Sequence, residues 1–465
     1  MADHALHRHV VLAGFMGSGK TTLGRDVARR LGRSFLDADK VIEEQTGRKI
    51  AEIFATDGEA AFRELETRTI RALLDSRSNT VIALGGGAVT HAATREALKE
   101  AFVVHTPVDV GVAWSRVRNS DRPLARDEAT FRALHAERAS LYDAVADAHA
   151  DDVDGIVLAA AGIHFEDGAL DKLDELVHGT GPVVVISDEN VWGYYAERVK
   201  ASLGDRIAHS YILEPGEASK SHQVLDRLWN ALRVDRGATI VAIGGGCVTD
   251  VAGFVAATYL RGISWVSVPT SLVGQVDAAI GGKTAIDIAG GKNLIGSFHW
   301  PTRVVIDEQL LNTLPERERR QGEAELVKTE LLANRTLGVR GAAAYKAGIC
   351  LQDPYDHGPR RWLNLGHTFA HALEAAAGYA LTHGDAVALG LLAALRLSGR
   401  DTTIVEERLK PQPVSVDIDR AFEALLRDKK SLGGAINLVL LGPESPIVEP
   451  RPADVVRAEL ARLIA

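Results

Sequence analysis

The chain has 465 residues, 46% hydrophobic and 25% charged, an ordinary balance for globular material spread over more than one core. Its 53 basic and 62 acidic residues leave a net charge of −9, which argues against a surface built for nucleic acid or anionic membrane. Cys247 and Cys350 are its only cysteines, which excludes a disulfide framework or a thiolate metal site; no apolar run reaches membrane-spanning length and residues 1–9 carry no apolar signal core, so a cytoplasmic location is expected.

Residues 10–160 alternate short apolar strands with charged helical stretches. Val10–Ala13, Val81–Leu84 and Phe102–His105 read as buried parallel strands, and 25–31, 64–74 and 132–146 as helices. Between the first strand and first helix, Gly14-Phe-Met-Gly-Ser-Gly-Lys-Thr21 fits GxxxxGK[ST]. In that setting Gly17, Ser18, Gly19 and Thr22 offer backbone N–H groups to phosphates, Lys20 reaches the β and γ phosphates, and Thr21 ligates Mg²⁺. A strand ending Phe35-Leu-Asp-Ala-Asp39 adds two carboxylates: Asp37 suits Mg²⁺ through water, and Asp39 suits an acceptor hydroxyl. Arg63, Gly85-Gly86-Gly87, Arg122 and Arg138 follow. Arginines aimed at one point favour a carboxylated acceptor, because guanidinium binds carboxylate bidentately.

In this order and spacing, the motifs over residues 8 to about 150 resemble shikimate kinase. The resemblance implies a P-loop kinase domain using ATP with Mg²⁺. It implies Asp39, Arg63, Gly85, Gly86, Gly87 and Arg138 around shikimate, and Arg122 on a lid over ATP. A gluconate-type kinase is the rival reading.

A second α/β series starts near Asp151, with strands expected at 183–186, 240–243, 265–268 and 304–306 and helices at 190–203, 221–234 and 251–259. From about Leu310 the β signal gives way to Ala, Leu and Glu, apart from a patch at 436–441. Three units are therefore expected: residues 1–150 and 151–309, both α/β, and 310–465, mainly helical. Gly244-Gly-Gly-Cys-Val-Thr-Asp250 follows a strand and opens a helix, a setting that accepts a pyrophosphate, although it is not GxGxxG and also fits a plain tight turn. Ser187-Asp-Glu-Asn190 suits ribose hydroxyls. Glu217 and Lys220 form a further pair, and Lys283, Lys292 and Asn293 beside glycines suit a bound phosphate or carboxylate. In Asn364-Leu-Gly-His-Thr-Phe-Ala-His-Ala-Leu-Glu374, His367 and His371 stand four apart, which puts both imidazoles on one helix face. With His383 and Glu325 they suit a catalytic divalent metal, most readily zinc.

Residues 151 to about 450 resemble 3-dehydroquinate synthase. The resemblance rests on Gly244–Asp250, Tyr-Leu-Arg261-Gly, Gln-Val-Asp277, Gly-Gly-Lys283-Thr, Gly-Lys-Asn293, Glu-Ala-Glu325-Leu-Val-Lys328, Gly-His367-Thr-Phe-Ala-His371, His383-Gly-Asp and Asp428-Lys-Lys430. It implies an NAD-binding α/β domain and a helical metal-binding domain. Glu325, His367 and His383 would ligate Zn²⁺ or Co²⁺, leaving His371 to the substrate. Arg261, Asp277, Lys283, Asn293, Lys328, Lys346, Arg360 and one of Lys429 and Lys430 would line the substrate site. NAD⁺ contacts are implied at Asp188, Asn190, Glu217, Lys220, Gly245, Gly246, Val248, Thr249, Asp250, Thr270, Ser271, Lys283 and Lys292.

Together the resemblances imply a bifunctional enzyme of aromatic precursor synthesis. It would phosphorylate shikimate and convert 3-deoxy-D-arabino-heptulosonate 7-phosphate to 3-dehydroquinate plus phosphate; the resemblance also allows a homodimer through the synthase half, while the sequence leaves the oligomeric state open. Two rivals stand beside it: an inosose- or valiolone-forming sugar-phosphate cyclase in the second half, and an inactive scaffold in either half.

Overall fold

The computed structural model describes residues 4–119, 127–378, 380–428 and 435–465. They divide into two compact units, Met1–Ile163 with Ala347–Gln352, and His164–Lys346 with Asp353–Ala465.

The first unit holds strands β1 (Val10–Ala13), β2 (Phe35–Asp37), β3 (Val81–Ala83), β4 (Phe102–His105) and β5 (Ala148–His149) in one sheet, ordered β2-β3-β1-β4-β5 and parallel throughout. Helices α1 (Lys20–Arg30), α2 (Ala38–Thr46), α3 (Ile50–Leu74), α4 (Ala92–Leu98), α5 (Val110–Val117), α6 (Glu128–Val145) and α7 (Val153–Ala160) surround it. β1 is buried at all four positions, as a central parallel strand requires. Residues 151–163 belong to this unit. Helix α7 buries Ile156, Val157, Leu158 and Ala160, and the Ala160 carbonyl accepts from Ala5 N at 2.7 Å.

The second unit is built on β6 (Ile163–Phe165), β7 (Val183–Asp188), β8 (Ile207–Leu213), β9 (Thr239–Gly244), β10 (Ser264–Pro269) and β13 (Arg303–Ile306), ordered β6-β13-β10-β9-β7-β8. Its helices here are α8 (Leu173–Leu176), α9 (Glu189–Leu203), α10 (His222–Ala231) and α11 (Gly246–Thr258). Side chains alternate across the sheet. Val184, Ile186, Ile240 and Ala242 pack with residues of α10 and α11, while Val183, Val185, Val241 and Ile243 pack with residues of α9. Burial of both faces explains why these strands are continuously β-branched, each such side chain contributing about 1.5–3 kcal/mol.

Two findings differ from the sequence expectation. Strand β8, exposed at its middle positions, had no apolar run to mark it. The polar run after Gly281 is an antiparallel hairpin, β11 (Lys283–Ile288) with β12 (Gly291–Phe298), pairing Lys283 with Phe298 and Ile286 with Ile295. Its glycines and lysines hid the pairing.

The remainder is helical: α12 (Glu316–Ala333), α13 (Val339–Gln352), α14 (His367–Ala376), α15 (His383–Leu397), α16 (Thr403–Arg408), α17 (Ile418–Asp428) and α18 (Ala453–Ala461). The patch at 436–441 is β14 (Ala435–Leu441), which pairs antiparallel with β15 (Pro446–Pro452).

Candidate active sites

In the first unit, the loop between β1 and α1 turns through Gly17 (φ 81°) and Gly19 (φ 89°), left-handed positions that favour glycine. Gly19 begins α1 without a side-chain cap, so the first-turn N–H groups and the helix dipole face the loop. Lys20 is buried, and its Nζ donates to the carbonyls of Gly14 (2.7 Å) and Phe15 (2.9 Å). Thr21 Oγ1 donates to Asp37 Oδ2 at 2.7 Å, which joins the two groups expected at Mg²⁺. Ser18 Oγ lies 3.1 Å from Thr106 Oγ1, at the end of β4. Arg116 NH1 donates to the Gly17 carbonyl at 2.7 Å, a contact that α5 supplies and the loop motif does not encode.

Beside the loop, the acceptor residues converge. Arg63 on α3 and Arg138 on α6 are both buried. Arg63 NH1 donates to Glu66 Oε2 at 2.7 Å and its NH2 to Glu59 Oε1 at 3.0 Å. Arg138 NH1 donates to the Gly86 carbonyl at 3.1 Å, which Tyr142 OH also meets. The Asp39 carboxylate lies close to Gly85. Arg63 Nε, Arg138 Nε and Glu66 Oε1 are buried without a hydrogen-bond partner among the described residues, the condition of a cradle built for a polar ligand. Glu66 was missed by sequence reasoning, although its i,i+3 spacing from Arg63 was a usable signal. Burial pushes its carboxyl up to about 7 against the pull of Arg63. Arg122 lies outside the described residues.

In the second unit, α11 begins at Gly246, earlier than its apolar pattern suggested, so the Gly-rich turn is the helix's first turn and has no side-chain cap. That exposes N–H groups suited to a pyrophosphate. Ser271 Oγ accepts from Gly274 N at 3.2 Å, and Thr270 N donates to the Gly244 carbonyl at 3.0 Å, which sets this pair beside the turn. Thr249 Oγ1 is turned back onto the Gly246 carbonyl at 3.0 Å, and Val248 is buried against the sheet. Asp188 caps α9 by accepting from Val191 N at 3.0 Å; Asn190 is exposed on that helix. Lys220 gathers an acidic group, with its Nζ 2.9 Å from Asp250 Oδ2, 3.3 Å from Glu217 Oε1 and 3.9 Å from Asp287 Oδ1. It also donates to Asn293 Oδ1, and Asn293 is held at φ 56°. Burial, partly offset by Lys220, pushes Asp250 up to about 6. Burial and Glu217 push the Cys247 thiol up to about 12.

The metal ligands expected from the sequence come from three helices. Glu325 on α12, His367 at the start of α14 and His383 at the start of α15 bring one donor atom each within 4.8 Å of one another. Glu325 Oε1 lies 3.0 Å from His383 Nε2 and 3.4 Å from His367 Nε2. Burial raises the Glu325 carboxyl, but Lys328 and His367 outweigh it and hold the group well below the usual carboxylate range. Each imidazole is held from behind. His367 Nδ1 is 3.2 Å from the Leu365 carbonyl, and His383 Nδ1 is 3.6 Å from Glu374 Oε1. The close approach of α14 and α15 requires glycine. A Cβ on Gly366 (φ 78°) would meet Leu391 N at 2.8 Å, and one on Gly390 would meet the Gly366 carbonyl oxygen at 2.1 Å. His371, one turn along α14, is exposed, with its ring 5.5 Å from that of His367. One carboxylate and two buttressed imidazoles fit a divalent metal of the zinc class.

A cationic floor adjoins this cluster. Lys328 Nζ donates to Asp277 Oδ2 at 2.8 Å and pairs with Glu325. Lys346 Nζ donates to the Asp277 carbonyl at 2.7 Å and pairs with its carboxylate. Asp277 sits in a wide π-type turn, 274–278. Arg360 is buried, donating to the carbonyls of Gly281 (2.8 Å) and Pro354 (2.7 Å). Lys283 is exposed and pairs with Asp356 Oδ2 at 2.6 Å; Lys292, half-buried on β12, acts electrostatically on Glu217 and Glu374. Arg261 is exposed, and among the described residues no hydrogen bond or ion pair joins it to this floor. Lys429 and Lys430 lie outside the described residues.

The family model for shikimate kinase matches residues 16–159, that for the N-terminal part of 3-dehydroquinate synthase matches 210–321, and that for its C-terminal part matches 303–431. A bifunctional shikimate kinase/3-dehydroquinate synthase of Thermotoga maritima is 33% identical over 477 residues, covering 92% of this chain and 94% of its own. A 3-dehydroquinate synthase of Salinibacter ruber is 38% identical over 320 residues, covering 60% of this chain and 87% of its own. Among solved structures, a 2-deoxy-scyllo-inosose synthase complexed with carbaglucose-6-phosphate, NAD⁺ and Co²⁺ matches 64% of this chain and 96% of its own, with a TM-score of 0.57 and 24% identity. A 2-epi-5-epi-valiolone synthase from Streptomyces hygroscopicus, with NAD⁺ and Zn²⁺ bound, matches 65% of this chain and 96% of its own, with a TM-score of 0.54 at the same identity. These last two likenesses establish a shared fold.

Proposed function

The chain belongs to the bifunctional shikimate kinase/3-dehydroquinate synthase family, and from that premise we propose that both halves are active on the family's substrates. The first transfers the γ-phosphoryl group of ATP to shikimate. The second converts 3-deoxy-D-arabino-heptulosonate 7-phosphate to 3-dehydroquinate and inorganic phosphate. The observation that carries this reading is the survival of both polar centres in one chain: the Lys20 and Thr21–Asp37 cradle, and the Glu325–His367–His383 cluster.

In the kinase half, Mg²⁺ bound near Thr21 and Asp37 would supply charge neutralisation for the transferring phosphate. Lys20 and the first-turn N–H groups hold the β and γ phosphates, while Arg63 and Arg138 clamp the acceptor's carboxylate. Asp39 takes the proton of the attacking hydroxyl as the new O–P bond forms and ADP leaves.

In the synthase half, NAD⁺ would supply a recycled hydride acceptor, and a divalent ion held by Glu325, His367 and His383 would supply Lewis acidity at the substrate's hydroxyls. The chain's own groups do the positioning. Lys328, Lys346 and Arg360 hold substrate anions at fixed points, and the uncapped start of α11 receives the dinucleotide's pyrophosphate. His371 moves protons at the substrate, on the open side of the cluster.

The test is a two-substrate assay on purified full-length protein. Chelation is expected to stop both activities, Mg²⁺ alone to restore only the kinase, and Zn²⁺ or Co²⁺ to restore the synthase. A chain that turns over neither substrate after remetallation overturns the reading.

A further inference from the structure

A second cluster of metal-ligating side chains lies at the edge of the first unit's sheet, outside both centres described above. His105 ends β4 and His149 ends β5, and the two are register partners across that parallel pair. Their Nδ1 atoms are 3.2 Å apart. Asp143, in the last turn of α6, brings Oδ1 to 3.3 Å from His105 Nδ1 and 3.9 Å from His149 Nδ1. We propose that His105, Asp143 and His149 form a binding site for a divalent late-transition-metal ion, of the Zn²⁺, Co²⁺ or Ni²⁺ class.

Three features carry it. The first is geometry: bonds of about 2.0–2.1 Å arranged tetrahedrally around zinc place neighbouring donors roughly 3.3 Å apart. His105 Nδ1 already stands at 3.2 and 3.3 Å from its two partners, and the exposed His149–Asp143 pair, at 3.9 Å, has a short distance to close. The second is valence. One proton can bridge the two imidazole nitrogens, yet a carboxylate oxygen is directed at the same point, so three lone pairs converge where a single cation satisfies all of them. The third is preorganisation: the His105 ring stacks on Tyr142 at 5.1 Å and 18°, so this ligand is oriented before any ion arrives. Imidazole nitrogens with one carboxylate select zinc-like ions over Mg²⁺ or Ca²⁺. His149 and Asp143 are exposed, so water completes the coordination.

An ion there would tie the two-residue strand β5 to β4 and to the end of α6. The residue that follows β4 is Thr106, whose Oγ1 meets Ser18 in the phosphate loop, so the same ion would brace the loop's support. Its role is to hold structure, separate from the chemistry at Lys20 and Asp39.

The test uses the full chain, stripped with chelator, reloaded with Zn²⁺ and desalted, with zinc per chain measured for wild type, H149A, D143N and H383A. Wild type is expected to hold one equivalent more than H149A. D143N should bind that equivalent at least ten-fold more weakly, and H383A should retain it. Zn²⁺ should lengthen the half-life of heated kinase activity severalfold in wild type but not in H149A. Equal zinc in wild type, H149A and D143N, or loss of all zinc in H383A, overturns the proposal.

Discussion

Glu374 holds the back of the His383 ring: its Oε1 lies 3.6 Å from Nδ1, while Nε2 of the same ring faces Glu325 at 3.0 Å. This carboxylate–imidazole pairing fixes which nitrogen is offered to a metal. Glu374→Gln is therefore expected to weaken zinc binding at this cluster by about 10–100-fold. Synthase turnover should recover at saturating zinc and kinase turnover should not change. Zinc titration with both activity readouts checks it.

The contact of Gly366 with Gly390 sets the separation of α14 and α15. Gly366→Ala places a Cβ 2.8 Å from Leu391 N at a left-handed φ. The expected cost is about 1–3 kcal/mol of stability, with displacement of His367 and loss of synthase activity. Urea unfolding and zinc content measured on the same preparation report the two effects separately.

Lys20 is held by carbonyl partners within the phosphate loop of the first unit. Lys20→Ala is expected to lower shikimate phosphorylation at least about hundredfold, the scale of removing one preorganised charge from a transferring group. Dehydroquinate formation should stay at its wild-type rate. Parallel assays on one sample decide it.

Glu66 gives a pH dependence. Its folded pKa of about 7 stands above the ordinary 4.5, so the folded state holds the proton more tightly than the unfolded chain. Below pH 4.5 both states are protonated and there is no penalty. The penalty builds between pH 4.5 and 7 and is complete above, up to about 3 kcal/mol. Wild type should thus lose stability relative to E66Q on going from pH 5 to pH 8. Thermal inactivation of the kinase at the two pH values measures this, and a constant difference would rule it out.

Much of this was legible in the sequence because it is written in local spacing. The P-loop needs a strand, a glycine-rich turn and a helix in immediate succession; β1 lies where expected, and α1 begins at Lys20, five residues before the expected start. The sheet of the second unit was readable because burial on both faces gives β7, β9 and β10 apolar, largely β-branched centres. The β11–β12 hairpin was not, since β12 is largely exposed and the pairing is set by contacts that carry no apolar run. Histidine spacing was informative in a different way. The four-residue interval put His367 and His371 on one face, but separation along a helix does not choose which ring meets Glu325; packing of α12 against α15 does. Glu66 and Glu374 were missed because a buried acid that serves another side chain has no motif of its own.

Asp277 gives the synthase pocket an internal counterion. Its carboxylate already pairs with both Lys328 and Lys346, so an arriving anion meets occupied lysines and must take them over from a tethered competitor. Anion binding there is an exchange of partners around the two lysines. Such a pocket gains selectivity for an anion that engages both lysines together, and once that anion departs Asp277 can return to them.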